Sequence, residues 1–205
     1  MVDSPRRMDI ARAAGKLSLR VLSREARACR VCAPEIEPRP VFSVHARARV
    51  LIVGQAPGRR VHESGVPWDD ASGDRLRAWM GVSRETFYDA GCVAILPMGF
   101  CYPGTGASGD LPPRPECAPL WMDRFLDAMP DVRLTLLVGR YAQARFLGET
   151  DLTKTVRRFR ALLRAHRLPM PHPSPRNNIW LAKNPFFERT VVPVLRRRVA
   201  SALRV

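Results

Sequence analysis

The sequence predicts a doubly wound α/β layer, and two observations carry the prediction. Three short apolar runs, RVLIV at 49–53, CVAILPM at 92–98 and RLTLLVG at 133–139, are separated by segments of helical composition. The first run stops at GQAPG, 54–58, a tight turn at a strand's C-terminal end, where open α/β sheets bind their ligands. Strands that alternate with helices pack as a parallel sheet covered on both faces, so their own residues are apolar on both sides.

The elements follow in order. Residues 8–28 read as a basic amphipathic helix leading into the C-x-x-C of Cys29 and Cys32. APEIEPRPVFSVHARA is Pro-rich and irregular, and RVLIV is short and β-branched enough for a buried strand. GDRLRAWM, 73–80, reads as a helix with Ser72 or Asp74 as its cap. CVAILPM is a second strand, broken by Pro97. The loop from Tyr102 to Pro115 holds too much Gly and Pro for a regular element. PECAPLWMDRFLDAM reads as a helix, RLTLLVG as the third strand, and RYAQARFLG as a helix closed by Gly148. RFRALLRAH is basic and helical, and PHPSPRNN, 171–178, is a loop. NPFFERTVVPVLRRRVASAL is a last helix, with a kink expected at Pro193. No internal repeat or second boundary interrupts the chain. Its 205 residues suit one domain, with 1–28 as an N-terminal helical extension.

Composition narrows the class. A hydrophobic content of 46% fills a real core and argues against global disorder. No apolar run approaches the roughly 20 residues that span a bilayer. The basic N-terminus lacks the apolar centre of a signal peptide, so the expected location is the cytoplasm. The net charge of +15 attracts polyanions, and nucleic acid is the partner it suggests. An arginine-rich proteome would produce the same excess. The five cysteines are odd in number, which argues against a disulfide framework. Cys29, Cys32, Cys101 and Cys117 form two pairs that could hold zinc or an iron–sulfur cluster, or could be small buried hydrophobes. Cys92, in AGCVAI, reads as a core residue.

Candidate chemistry gathers in three segments: GQAPG, the loop GVPWDDASG at 65–73, and PHPSPRNN. No dinucleotide fingerprint, phosphate-binding P-loop or G-x-S-x-G elbow occurs, so nucleotide cofactors and α/β-hydrolase chemistry receive no support.

A strand ending in GQAPG, then G-V-P-W-x-x-x-S-G, then a late HPSP, resembles the uracil-DNA glycosylase superfamily over roughly residues 25–200. Three weak motifs in the right order make a specific signal. The cysteine positions resemble the iron–sulfur (family 4) branch, and HPSPRN resembles the loop of the single-strand-selective (SMUG-type) branch. The resemblance implies a three-layer α/β/α sandwich on a central, mostly parallel four-stranded sheet. It implies a monofunctional enzyme that flips uracil out of single- or double-stranded DNA, since the bond is hidden in the stack. Hydrolysis of the N-glycosidic bond would leave an abasic site for base excision repair. The cofactor implied is a structural [4Fe–4S] cluster on Cys29, Cys32, Cys101 and Cys117, with zinc as the alternative. A monomer is expected.

The resemblance also implies roles residue by residue. His172 would donate to uracil O2 as charge grows on the leaving base, held in place by Pro171 and Pro173. Gln55 and Ala56, after Gly54, would line the pocket with backbone N–H groups. Pro57 and Gly58 would press on the DNA backbone, where Gly58 permits close approach. Trp68 would stack on uracil, although a core tryptophan fits the sequence nearly as well. Ser72 and Gly73 would bring a helix N-terminus near phosphate. Ser174 would touch a phosphate and Arg176 would enter the gap left by the flipped nucleotide.

Two departures stand out. The most active relatives carry Asp, and SMUG-type relatives Asn, where this chain has Ala56; the family 4 branch often lacks both, and losing a positioned base costs about 10²–10⁴-fold. His62, Glu63, Asp69 and Asp70 are candidates for the missing role. Relatives read the uracil edge with an Asn on the second strand, where this chain has Pro97 and Met98. Asn177 and Asn178 follow the histidine and suit a DNA contact. Relaxed specificity toward other deaminated bases is therefore expected. The loop YPGTGASGDLPPRP has no His, so covalent capture of DNA is not expected. No Lys near the motifs suits a Schiff base, so neither is a lyase step. Arg157, Arg158, Arg160, Arg164 and Arg196 to Arg198 are candidate backbone contacts. The rival readings are a non-catalytic or weakly catalytic binder of damaged or abasic DNA, and a zinc-stabilised α/β protein with an unrelated substrate.

Overall fold

Along β-strands buried on both faces, successive side chains must be apolar, and this chain obeys the rule. In the computed structural model, which describes residues 19–107 and 109–204, a helix α1 over 19–27 comes first. The order is then β1 (Val50–Val53), α2 (Arg59–Ser64), α3 (Ala71–Met80), α4 (Arg84–Tyr88), β2 (Val93–Ile95), β3 (Thr105–Gly106) and β4 (Gly109–Asp110). After these come α5 (Cys117–Asp127), β5 (Leu134–Val138), α6 (Arg140–Leu147), α7 (Leu152–Arg157), α8 (Phe159–Leu162) and β6 (Arg167–Met170). A short 3₁₀ turn at Pro175–Asn177, α9 (Asn178–Lys183), a π turn at Phe187–Val191 and α10 (Val192–Leu203) complete the chain.

The main sheet has the order β2-β1-β5-β6, with every pairing parallel. Register places Val50 beside Val93 and Leu134, and Val138 beside Met170. Val50 and Ile52 face one core with Leu76, Phe87, Phe187 and Leu195. Leu51 and Val53 face the other with Trp121, Phe125 and Ala142. The result is the expected three-layer α/β/α sandwich. Each fully buried Leu, Ile or Phe contributes about 1.5–3 kcal/mol, so the two cores together outweigh any surface ion pair.

Strand order also decides where a site can form. The chain leaves β1 toward β2 on one side, and leaves β5 toward β6 on the other. A crevice opens between β1 and β5 at such a switch point, beyond the strands' C-terminal ends.

Several expectations are corrected. The 8–28 helix is seen as 19–27, and 8–18 lie outside the described residues. The cap of α3 is neither Ser72 nor Asp74 but Asp70, whose carboxylate accepts from Gly73 N at 2.8 Å. The loop from Tyr102 to Pro115 contains a two-stranded hairpin, Thr105 opposite Asp110. β6 was hidden by Pro169, which the sheet tolerates because β6 is an edge strand. Pro193 does not kink a helix. It lies in the first turn of α10, where its missing N–H is harmless, and the irregularity falls before it, in the π turn. PHPSPRNN is a loop only as far as Ser174, since the 3₁₀ turn and α9 follow directly.

Candidate active site

The GQAPG turn continues β1 past its last residue. Met98 N donates to Gly54 O at 3.0 Å and Gly99 N to Gln55 O at 2.9 Å, which keeps the turn against the segment after β2. The Gln55 side chain donates to Leu111 O at 3.4 Å, so the β3–β4 hairpin is tied over the turn. Ala56 lies against Gly99, where an added Cβ would be 3.5 Å from its own. Gly58 has an ordinary extended backbone at φ −80°, so its value is space: a Cβ there would stand 3.3 Å from Asp110 Oδ2.

Trp68 sits at φ 58°, a left-handed conformation that bulky residues avoid. Its surroundings hold it there. Tyr88 Oη donates to Trp68 O at 3.3 Å, and Arg77 Nη1 reaches the same carbonyl at 3.5 Å. Gly73 leaves room for that carbonyl, since a Cβ would fall 1.8 Å from it. On the ring side, a Cβ on Gly54 would approach Trp68 Cζ2 to 3.0 Å. The indole stacks on His172, with centroids 5.3 Å apart and planes 30° apart.

His172 follows β6 on a loop with few degrees of freedom. Its Nδ1 accepts the Ser174 amide at 3.2 Å, and its carbonyl accepts Asn177 Nδ2 at 2.8 Å. Burial pushes its pKa down to about 4, against the pull of the Asp70 carboxylate. The ring is neutral near pH 7. With Nδ1 occupied as an acceptor, the proton resides on Nε2, which makes the residue a hydrogen-bond donor through that atom.

These segments line one cleft of about 490 Å³. Gly54, Gln55, Ala56, Pro57 and Gly58 line it together with Trp68, Ser72, His172, Ser174 and Arg176. The residues expected at the cleft are brought together there except Gly73, which packs against the Trp68 carbonyl. Arg176 lies with its guanidinium over the hairpin, where a Cβ on Gly109 would be 1.5 Å from Nη1. Of the four residues weighed to replace Ala56, only Asp70 lines the cleft. His62 Nε2 instead lies 3.2 Å from Glu37, Asp69 pairs with Arg84 at 3.3 Å, and Glu63 is exposed. Asn177 is committed to the His172 carbonyl, and Asn178 accepts from Arg75 at 2.8 Å. Sequence reasoning missed Asp110, Arg140 and Tyr141, which also line the cleft. Arg140 and Tyr141 open α6 directly after β5, and a position just past a strand end was the one signal that pointed to them.

The cysteines meet elsewhere. Cys29, Cys32, Cys101 and Cys117 line one apolar cavity behind Phe100, and Phe100 N donates to Cys117 Sγ at 3.3 Å. No disulfide joins any two of the four, and Cys92 stands apart, donating to Asp89 at 3.4 Å. Burial raises the Cys101 pKa to about 11 and that of Cys117 to about 12, with the neighbouring thiols pushing in the same direction. Two buried N–H donors without partners, Arg114 Nε and Trp121 Nε1, belong to residues lining the same cavity. Among the described residues no group of three or more His, Cys, Asp or Glu is placed to hold a metal ion.

Fold and cleft together define a doubly wound α/β protein with a ligand crevice at its switch point. Its crevice presents a rigid neutral histidine beside an aromatic face. Residues 42–196 match the model of the Uracil DNA glycosylase superfamily, and the chain belongs to that superfamily. Its members are DNA glycosylases. Among the described residues no helix is long and apolar enough to cross a membrane.

Proposed function

We propose that this chain is a monofunctional uracil-DNA glycosylase. It flips uracil from DNA, hydrolyses the N-glycosidic bond and leaves an abasic site for base excision repair. The observation that carries the reading is His172, neutral, with Nδ1 engaged by Ser174 and its donor Nε2–H on a cleft-lining residue. A fixed donor aimed at a developing oxyanion lowers a barrier because it needs no reorganisation when charge appears, and one such donor is worth roughly 10²–10³-fold. Gln55 and Ala56 shape the base pocket after Gly54, and Trp68 gives it an aromatic wall. Ser72, Ser174, Pro57 and Gly58 form the contact with the DNA backbone. Arg176 fills the space of the extruded nucleotide after leaving Gly109. The excess of 15 positive charges favours the polyanion. With no side chain from Pro97 reading the base edge, other deaminated bases are accepted in part.

The branch we propose is the iron–sulfur one, with a SMUG-like loop. The four cysteines in one cavity support a [4Fe–4S] cluster, as do the unpartnered N–H donors of Arg114 and Trp121, because such donors serve cluster sulfurs. A single zinc would need its sulfurs about 3.8 Å apart, from bonds of about 2.3 Å in a tetrahedron. Zinc on the same four thiols is the alternative occupant, and bound iron distinguishes the two. The cluster supplies a structural tie between α1, the segment after β2 and α5.

Ala56 favours a second reading, a weakly catalytic binder of abasic DNA. One assay separates the two. A labelled oligonucleotide with one uracil, single- or double-stranded, is incubated with the protein and then cleaved with alkali. Strand breaks that fall sharply with His172→Ala are expected. No breaks at high enzyme excess, with the cysteine site loaded, would sink uracil excision and leave binding.

A further inference from the structure

Resting on the glycosylase reading, one question remains at the centre of the cleft. Ala56 leaves the first turn without a carboxylate, yet two carboxylates line the cleft, Asp70 and Asp110. Asp70 is committed, because its Oδ1 caps α3 through Gly73 N at 2.8 Å. Asp110 has no ion pair among the described residues. It is exposed, but the residue after it is anchored: Leu111 accepts from Gln55 Nε2 at 3.4 Å and donates to Gly104 O at 2.9 Å. Its Oδ2 lies 3.3 Å from where a Gly58 side chain would begin, above the turn that contains Ala56. A negative charge in a cleft that receives phosphates is unfavourable for binding, in a chain whose net charge is +15. Among the described residues the Asp110 side chain makes no hydrogen bond or ion pair that would explain it there.

We propose that Asp110 is the general base of the reaction, delivered from the β3–β4 hairpin rather than from the first turn. As the C1′–N1 bond breaks, its electron pair leaves with N1 and delocalises to O2, where His172 Nε2–H donates. A water oxygen forms the new bond to C1′, and its proton passes to the Asp110 carboxylate. The products are the abasic sugar with a C1′ hydroxyl and the uracil anion, which takes up a proton from solvent.

The test is single-turnover excision from a uracil oligonucleotide by the cluster-loaded protein, comparing wild type with Asp110→Asn, Asp110→Ala and Asp70→Asn. Binding is measured in parallel on a 2′-fluoro-deoxyuridine oligonucleotide, which resists hydrolysis. Expected are a fall of about 10²–10⁴-fold with Asp110→Asn and binding within a few-fold of wild type or tighter. Added formate should restore part of the rate to Asp110→Ala, as a free carboxylate replacing the lost one. A rate for Asp110→Asn within about three-fold of wild type would overturn the proposal. So would a loss of rate matched by an equal loss of binding, which would make the hairpin a DNA contact. If wild type itself releases no uracil, the glycosylase reading fails and Asp110's role falls with it.

Discussion

Trp68 stacks on His172 at 5.3 Å between ring centroids while its own backbone stays at φ 58°. A strained backbone of this kind costs of order 1–3 kcal/mol and persists only where neighbours over-determine it. Here Gly73, Tyr88 and Arg77 surround the strained carbonyl, and Gly54 makes room for the ring. The strain turns the indole onto the ring of His172, the residue we propose to stabilise the leaving base.

Gly73→Ala removes that arrangement, since the new methyl would begin 1.8 Å from Trp68 O. Overpacking of this kind costs about 1–3 kcal/mol, so a lower melting temperature is expected together with a changed tryptophan fluorescence spectrum. Tyr88→Phe is the milder companion, because it removes one hydrogen bond and leaves the packing. It should lower stability by about 0.5–1.5 kcal/mol and reduce excision without abolishing it. An unaltered excision rate in both variants would show that Trp68 need not be held this way.

His172 carries a pH signature. Its folded pKa of about 4 lies below the ordinary value of 6.5, so the unfolded chain takes up the proton first on acidification. The stability from keeping it neutral is complete above about 6.5 and is lost as pH falls toward about 4. Melting temperatures of wild type should therefore drop more steeply over that window than those of His172→Gln. Ring nitrogen spectra should show Nε2–H, with Nδ1 as acceptor, unchanged through pH 6. A midpoint near the ordinary histidine value would contradict the burial of this ring.

The cysteine site predicts a metal-dependent stability. Substituting Cys101 or Cys117 by Ser should abolish bound iron and the visible absorbance, because each would supply one of four ligands. Cys92→Ser, outside the cavity, should retain both. Trp121→Phe should keep the iron and shift the reduction potential, since it removes an N–H donor from the cavity wall. Equal iron content in the Cys117→Ser and wild-type proteins would exclude this ligand set.

Gly109→Ala tests the seat of Arg176. The site is at φ 128°, and a methyl would begin 1.5 Å from the guanidinium. Displacing Arg176 should reduce excision from double-stranded DNA more than from single strands, because only the duplex leaves a gap to fill. Equal losses on both substrates would assign Arg176 to phosphate binding alone.

Local patterns carried much of this protein. The continuous apolar runs in RVLIV, CVAILPM and RLTLLVG are legible because a strand buried on both faces is a property of neighbouring residues. GQAPG, Trp68 and the HPSP loop were legible for the same reason: their backbone demands are written into adjacent Gly and Pro. β6 was not, because Pro169 breaks the pattern that an edge strand does not need. The sequence offers Ser72 or Asp74 as the cap of α3, and the hydrogen bond from Gly73 N, set by folded geometry, assigns it to Asp70. Asp110 was invisible in a Gly- and Pro-rich loop. Its placement over Gly58 depends on a hairpin tied down by Gln55, from a distant part of the chain. The sequence by itself determined the layers and the motifs that sit at strand ends. The tertiary structure alone decided which side chains share the cleft, because that depends on strand order and on long-range contacts that no local periodicity encodes.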